Sequence, residues 1–207
     1  MTQQNVPAVV STVAVLAVGL PAFWLLSFGP LATHMALHIA LISVMAPLIA
    51  MLLLELGIGR RFGPNGLWGS TVVQLLALWA VHAPSMHGSE AGAALPSILL
   101  WTLLAASAIL FWLSVCSARP TQWWHAILAL LVTGKLACLL GALLVFAPRP
   151  IYANGHHGFD LADQQLAGLL MLAACPLSYV LAGLVIAVET LLAPGNRSGT
   201  ALTRQTV

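Results

Sequence analysis

The sequence predicts an all-α integral membrane protein, a bundle of about six transmembrane helices with both termini in the cytoplasm. Three observations predict it. Hydrophobic residues make up 60% of the chain and charged residues only 6%, against about 25% charged in a soluble domain. Mean hydropathy is +0.99. The apolar residues are also gathered into stretches of about 20, the length a helix needs to cross a hydrocarbon core, and no sequence is left for a separate soluble domain. The formal net charge of +2 rests on few groups, so nothing points to a nucleic-acid partner.

The expected spans are Pro7–Leu26, Leu31–Leu56, Leu67–Val81, Leu95–Val115, Trp123–Phe146 and Asp163–Leu192. Each break between them contains Gly, Pro or charge, the residues that punctuate helices. Met1-Thr-Gln-Gln-Asn lacks the positive opening of a secretory signal, so the first span is expected to be retained. Residues 1–193 then form a single six-helix domain, and the polar residues 194–207 a disordered cytoplasmic tail. Cys116, Cys138 and Cys175 lie in or beside apolar segments without CxxC spacing. They are expected to be small buried hydrophobes, not a disulfide framework.

With six spans, Arg60, Arg61, Arg119, Arg197 and Arg204 fall on one side of the membrane and Arg149 on the other. Positively charged loops stay cytoplasmic, which sets the orientation. It also sorts the histidines. His34 and His38 open the second span, His82 and His87 flank the end of the third, and His156 and His157 precede the sixth. All six fall on the outer side. His125, beside Trp123 and Trp124, falls at the opposite interface and reads as part of an aromatic belt.

His34-Met35-Ala36-Leu37-His38 is the sharpest local feature. Spacing of i, i+4 puts both imidazoles on one helix face, where they could share a metal ion or serve as interfacial histidines bonded to neighbours. Met45 returns to the same stripe about 10 Å further along the axis, so one ion cannot take both His38 and Met45 unless the helix is distorted. Imidazole and thioether together suit Cu(I), and imidazole alone also suits zinc. His82-Ala83-Pro84-Ser85-Met86-His87 is the second candidate, because Pro84 would end the helix and let both histidines turn toward a common point; otherwise it is an ordinary polar loop. Asp163, Ala167, Met171 and Cys175 recur every fourth residue and form one face able to look into the bundle. Asp163, at a helix N-terminus, is favoured by the macrodipole, and with Gln164 and Gln165 it could orient a histidine from outside the ligand set. Lys135 lies near the middle of the fifth span, where a charge is costly and marks function by default. No phosphate loop, nucleophile elbow or carboxylate pair suggests a hydrolase.

Three of these segments together resemble the CtaG-type cytochrome c oxidase assembly factors: His34-Met35-Ala36-Leu37-His38 with Met45-Ala46-Pro47, His82-Ala83-Pro84, and Leu161-Ala162-Asp163-Gln164-Gln165-Leu166-Ala167-Gly168-Leu169-Leu170-Met171. The resemblance implies a multi-pass protein of the bacterial inner membrane that helps mature haem-copper oxidases by handling copper, and that is not an enzyme. The partners it implies are the oxidase catalytic subunit and a periplasmic copper donor. It carries over to His34, His38, His82, Asp163 and Gln164. It departs at Trp101, where such proteins often carry a histidine about eleven residues before a Phe-Trp, here Phe111-Trp112; the expectation is either that His87 replaces it or that the site binds more weakly. The expected Cu(I) ligands are therefore His34, His38, His82 and His87, supported by Met35, Met45, Met86, Asp163, Gln164 and Met171. The rival readings are a membrane b-type cytochrome with two axial histidines and a structural accessory subunit of a respiratory complex.

Overall fold

The computed structural model describes residues 29–58, 63–83, 94–118, 120–152 and 160–192. Among them the chain is helical throughout, with no strand. Helix α1 runs Pro30–Glu55, α2 Pro64–Val81, α3 Ala94–Cys116, α4 Trp123–Phe146 and α5 Leu161–Leu192, with a short 3₁₀ turn Pro120–Gln122 before α4. These correspond to the expected second to sixth spans, with ends moved by three residues or fewer. The expected first span, Pro7–Leu26, lies outside the described residues.

Four helices are long and apolar enough to cross a membrane: α1, α4, α5 and the Ile98–Cys116 stretch of α3. This is an all-α membrane protein. Helix α2 is not among the four. It has 18 residues, about 27 Å, but Asn65, Ser70, Thr71 and Gln74 dilute its hydropathy. Ser70, Thr71 and Gln74 are buried and internally bonded: Ser70 and Thr71 hydroxyls donate to the Leu67 carbonyl, and the Gln74 side-chain carbonyl accepts from Ser107 on α3 at 2.8 Å. These three polar side chains thus face protein, while Asn65 at the start of the helix is exposed.

Helix α1 is continuous but irregular. Leu41–Met45 form a π turn, with the Ala46 N–H bonded five residues back to the Leu41 carbonyl. Pro47 explains it. Proline has no N–H, and its ring would clash with the carbonyl four residues earlier; the wider turn relieves the clash. In this register Pro47 would have to donate to the Ile42 carbonyl and cannot. The Trp112 indole N–H on α3 donates to that carbonyl instead, at 2.7 Å, with both residues buried. The inserted residue also turns everything after it by about 100° (one residue's share of a 3.6-residue turn). Met45, expected on the His34–His38 stripe, is consequently 43% exposed. It does not face the histidines.

The most extensive packing is between α4 and α5, with α1 resting on α5 and α3, and α2 on α3 and α4. Gly141 and Gly168 let α4 and α5 close: a Cβ on Gly168 would lie 2.7 Å from the Gly141 carbonyl oxygen and 2.9 Å from the Leu144 Cβ. Small residues at such crossings compensate for the lack of a hydrophobic driving force in lipid. Gly168→Ala is therefore expected to destabilise the bundle by about 1–3 kcal/mol, as overpacking does, read as a lowered unfolding midpoint in detergent. All three cysteines are free, with Cys175 buried and Cys116 exposed. As the four-residue repeat anticipated, Ala167, Met171 and Cys175 are buried.

Candidate functional site

One end of the bundle gathers the starts of α1, α3 and α5 and the ends of α2 and α4. Its framework comes from three consecutive side chains at the start of α5. Asp163 accepts hydrogen bonds from two backbone N–H groups of α1, Leu31 at 2.8 Å and Ala32 at 3.0 Å. The sequence explains why α1 needs this. Its cap residue is Gly29, which has no side chain to offer, and Pro30 at the first position has no N–H. The next two donors of the first turn would otherwise lack partners. A Cβ on Gly29 would collide with the Asp163 carboxylate, so that glycine is what admits the acid. Asp163 also sits in the first turn of its own helix, so two positive helix ends converge on one carboxylate.

Gln164 and Gln165 do the converse for α4. The Leu144 carbonyl would be bonded by residue 148, but that residue is proline. The Gln164 amide N–H donates to the Leu144 carbonyl at 3.2 Å, and its carbonyl accepts from the Ile151 N–H at 2.7 Å. Gln165 donates to the Val145 carbonyl at 3.5 Å. Acceptors thus meet a helix N-terminus and donors a helix C-terminus. Asp163 is engaged with the backbone of α1, the helix that carries His34 and His38, and Gln164 with the backbone of α4 and the turn after it.

On α1, one turn in from the Asp163 anchor, the rings of His34 and His38 lie 4.3 Å apart between centroids, as the i, i+4 spacing predicts. Met35 and His38 are buried, at 1% and 2% exposure. His82, the last residue of α2's turn, brings its ring 5.4 Å from that of His38 and is likewise buried. Trp101 of α3 covers the pair, with its ring 4.2 Å from His38 and 5.3 Å from His34. The structure thus brings together His34, Met35, His38 and His82. Composition and spacing gave no reason to place Trp101 with them; only the resemblance marked its position.

His82 is held in one tautomer. Its Nδ1 lies 2.7 Å from the Leu78 carbonyl oxygen, which can only accept, so Nδ1 carries the proton. A backbone carbonyl orienting one ring nitrogen is the usual arrangement behind a metal-ligating histidine. The His82 Nε2 contacts the Met35 sulfur at 3.2 Å. An imidazole nitrogen and a thioether sulfur thus lie side by side. The Tyr152 hydroxyl donates to the His82 carbonyl at 2.9 Å, fixing the end of α2. Burial pushes the Tyr152 phenol up to about 12, so this donor persists through the physiological range and is lost only as pH rises through that value. Leu31, Ala32, Leu144, Tyr152 and Ala167 pack around Met35 as a small apolar cluster.

The other expected site residues fall elsewhere. Met171 is buried in the main apolar core between the helices, which separates it from the cluster around Met35. Met86 and His87 lie outside the described residues, as do His156 and His157. His125 stacks on Trp124 at 3.5 Å and accepts from the Trp68 indole at 3.4 Å, at the far end of the bundle. Among the described residues no group of three or more His, Cys, Asp or Glu side chains is arranged to hold a metal ion. What the site offers instead is imidazoles with a thioether.

Compared with known families, residues 68–192, more than half of the chain, match the family described as cytochrome c oxidase caa3 assembly factor (Caa3_CtaG). Comparisons with curated proteins and with solved structures gave no match.

Proposed function

This chain belongs to the cytochrome c oxidase caa3 assembly factor family, and we propose that it holds Cu(I) at the histidine end of the bundle for delivery to the copper centre of a haem-copper oxidase. The observation that carries the reading is the donor set. His34, His38 and His82 bring imidazole nitrogens together, and Met35 brings a thioether sulfur into contact with His82 Nε2 at 3.2 Å. Soft ligands of this kind select Cu(I), whereas hard cations prefer oxygen, and the nearby Asp163 carboxylate is already taken up by the Leu31 and Ala32 N–H groups. Bound there, Cu(I) would be cargo, and the chain's task is to keep it desolvated and exchangeable. Trp101 adds an indole beside the imidazoles, and a ring face attracts a cation. A bis-histidine haem is less well supported, because Trp101 and Met35 occupy the space around His38 and His82 that a macrocycle would need. A visible spectrum of the purified protein separates the two: no Soret band is expected.

The oxidase role is tested by removing the chain from its host. Membranes should then contain oxidase subunits with haem but little catalytic-centre copper, and supplying the wild-type chain should restore both copper and activity. An oxidase that keeps its full copper without the chain contradicts the reading.

In the proposed orientation the histidine end faces the periplasm of a bacterial inner membrane, following the five-to-one arginine distribution. Reporter fusions after Gly66 and Gly92 are expected to report cytoplasm and periplasm respectively. The reverse pattern would put the site on the cytoplasmic face.

Trp101 supplies a sharper check on the ligand set. Trp101→His places another imidazole beside His34 and His38. Cu(I) affinity is expected to rise by about tenfold or more, and Zn(II), which prefers several imidazoles, to gain measurable binding. Isothermal titration with each metal under reducing conditions reads both effects.

A further inference from the structure

Lys135 is the chain's one lysine, and it is the thirteenth of the 24 residues of α4, which places it near the bilayer midplane. Its side chain is exposed on the bundle surface. Leu128, Leu131, Val132, Leu139 and Leu143 are exposed with it, at the i−7, i−4, i−3, i+4 and i+8 spacings of one helix face. A cation in the middle of such a stripe is costly to leave in lipid, and about 15 Å separates the midplane from either interface, well beyond the reach of a lysine side chain.

Among the described residues no acid lies at the level of Lys135. The chain's five acidic residues are Glu55, Glu90, Asp160, Asp163 and Glu189. Glu55 ends α1, Glu189 lies in the last turn of α5, Asp160 and Asp163 stand at the start of α5, and Glu90 falls between α2 and α3 in sequence. At 1.5 Å per residue, the acids on α1 and α5 lie more than about 15 Å from the level of Lys135. A second copy of the chain carries the same five acids at the same depths and fares no better. We infer that Lys135 marks a lateral contact with a different integral membrane protein, one whose transmembrane helix carries an Asp or Glu near the middle of the bilayer. The apolar stripe packs against that helix, and the buried ion pair fixes its depth and register. This inference is independent of the copper reading, because it uses none of the histidines.

The test uses the full chain in its native membranes. Dicyclohexylcarbodiimide, which partitions into lipid, activates intramembrane carboxylates and lets an adjacent lysine amine form an amide with them. The expected product joins Lys135 to an Asp or Glu within an apolar span of another protein, located by mass spectrometry of the linked peptides. Lys135→Arg keeps the charge and is expected to retain the partner on co-purification while losing the adduct, because a guanidinium does not acylate under these conditions. Lys135→Glu sets like charges together and is expected to lower recovery of that same partner by at least ~10-fold, as such juxtapositions do. Exchanging the partner's acid for lysine should restore it. The inference is overturned if no Lys135-dependent adduct forms, if the adduct joins Lys135 to an acid of its own chain, or if Lys135→Glu leaves recovery of the partner unchanged.

Discussion

His34→Ala and His38→Ala are each expected to lower Cu(I) affinity by more than about 100-fold, beyond the 10–100-fold losses typical of groups that only orient a ligand. Oxidase activity in the host membrane should fall with it, while the amount of the chain in the membrane stays nearly constant. The reason is local. His34 and His38 share one face of α1, a turn apart, and neither belongs to the contacts that hold α4 on α5. His82→Ala is a less clean probe, since the same ring is hydrogen-bonded to the Leu78 carbonyl and its removal also disturbs the end of α2. Met35→Leu completes the set. It preserves apolar volume within the cluster of Leu31, Leu144 and Tyr152 but removes the thioether, so Cu(I) binding should weaken while stability changes little. Copper affinity by competition with a chromogenic Cu(I) chelator, alongside immunoblots of membranes, reads all four variants.

Asp163→Ala is expected to cost about 2–4 kcal/mol of stability, because it leaves two partly buried backbone N–H groups without acceptors at about 1–3 kcal/mol each. Asp163→Asn should recover less than half of this. Both carboxylate oxygens are in use, one for Leu31 and one for Ala32. An amide supplies a single acceptor and sets its own N–H₂ against the second backbone donor. It also removes the negative charge placed at two helix N-termini. Copper affinity should fall in both variants through loosening of the start of α1, and in proportion to the loss of stability. A drop in copper affinity with an unchanged unfolding midpoint would mean that Asp163 acts on the metal site itself. Gln164→Ala is expected to loosen the end of α4 in the same way, by exposing the Leu144 carbonyl that Pro148 cannot satisfy.

The described helices were legible because their signal is composition summed over about 20 residues, which tertiary context cannot alter. The His34–His38 pair was legible because i, i+4 spacing is a property of the helix alone. What could not be read was anything that depends on which helix meets which. Asp163 lies 132 residues from the Leu31 N–H that it binds, and its own helix start gave a sufficient local reason for an acid there. The need was nevertheless visible from the other side. Gly29 followed by Pro30 opens α1 with no side-chain cap, and Pro148 removes the donor owed to Leu144; both gaps can be found by asking where each helix end sends its backbone hydrogen bonds. Met45 was misplaced for a related reason. The heptad distance from His38 assumed a regular helix, yet Pro47 lies within reach of the turn and widens it. A proline inside an apolar span is a warning that the stripe will rotate. Helix α2 has a polar inner face: Ser70, Thr71 and Gln74 are buried and bonded to Leu67 and Ser107, while Val72, Val73 and Leu76 are exposed on its outer face.

The central claim is that the imidazoles of α1 and α2, together with the Met35 sulfur, form a soft-metal site. Its most direct test is an anaerobic titration of the purified full-length chain with Cu(I) in the presence of a chromogenic competing chelator, run in parallel on the wild type and on the His34→Ala/His38→Ala double variant. The wild type is expected to withdraw a single Cu(I) per chain from the chelator, with no comparable uptake of Zn(II), and the double variant to withdraw none. Equal uptake by the two proteins would contradict the account and place any copper outside the site formed by His34, His38, His82 and Met35.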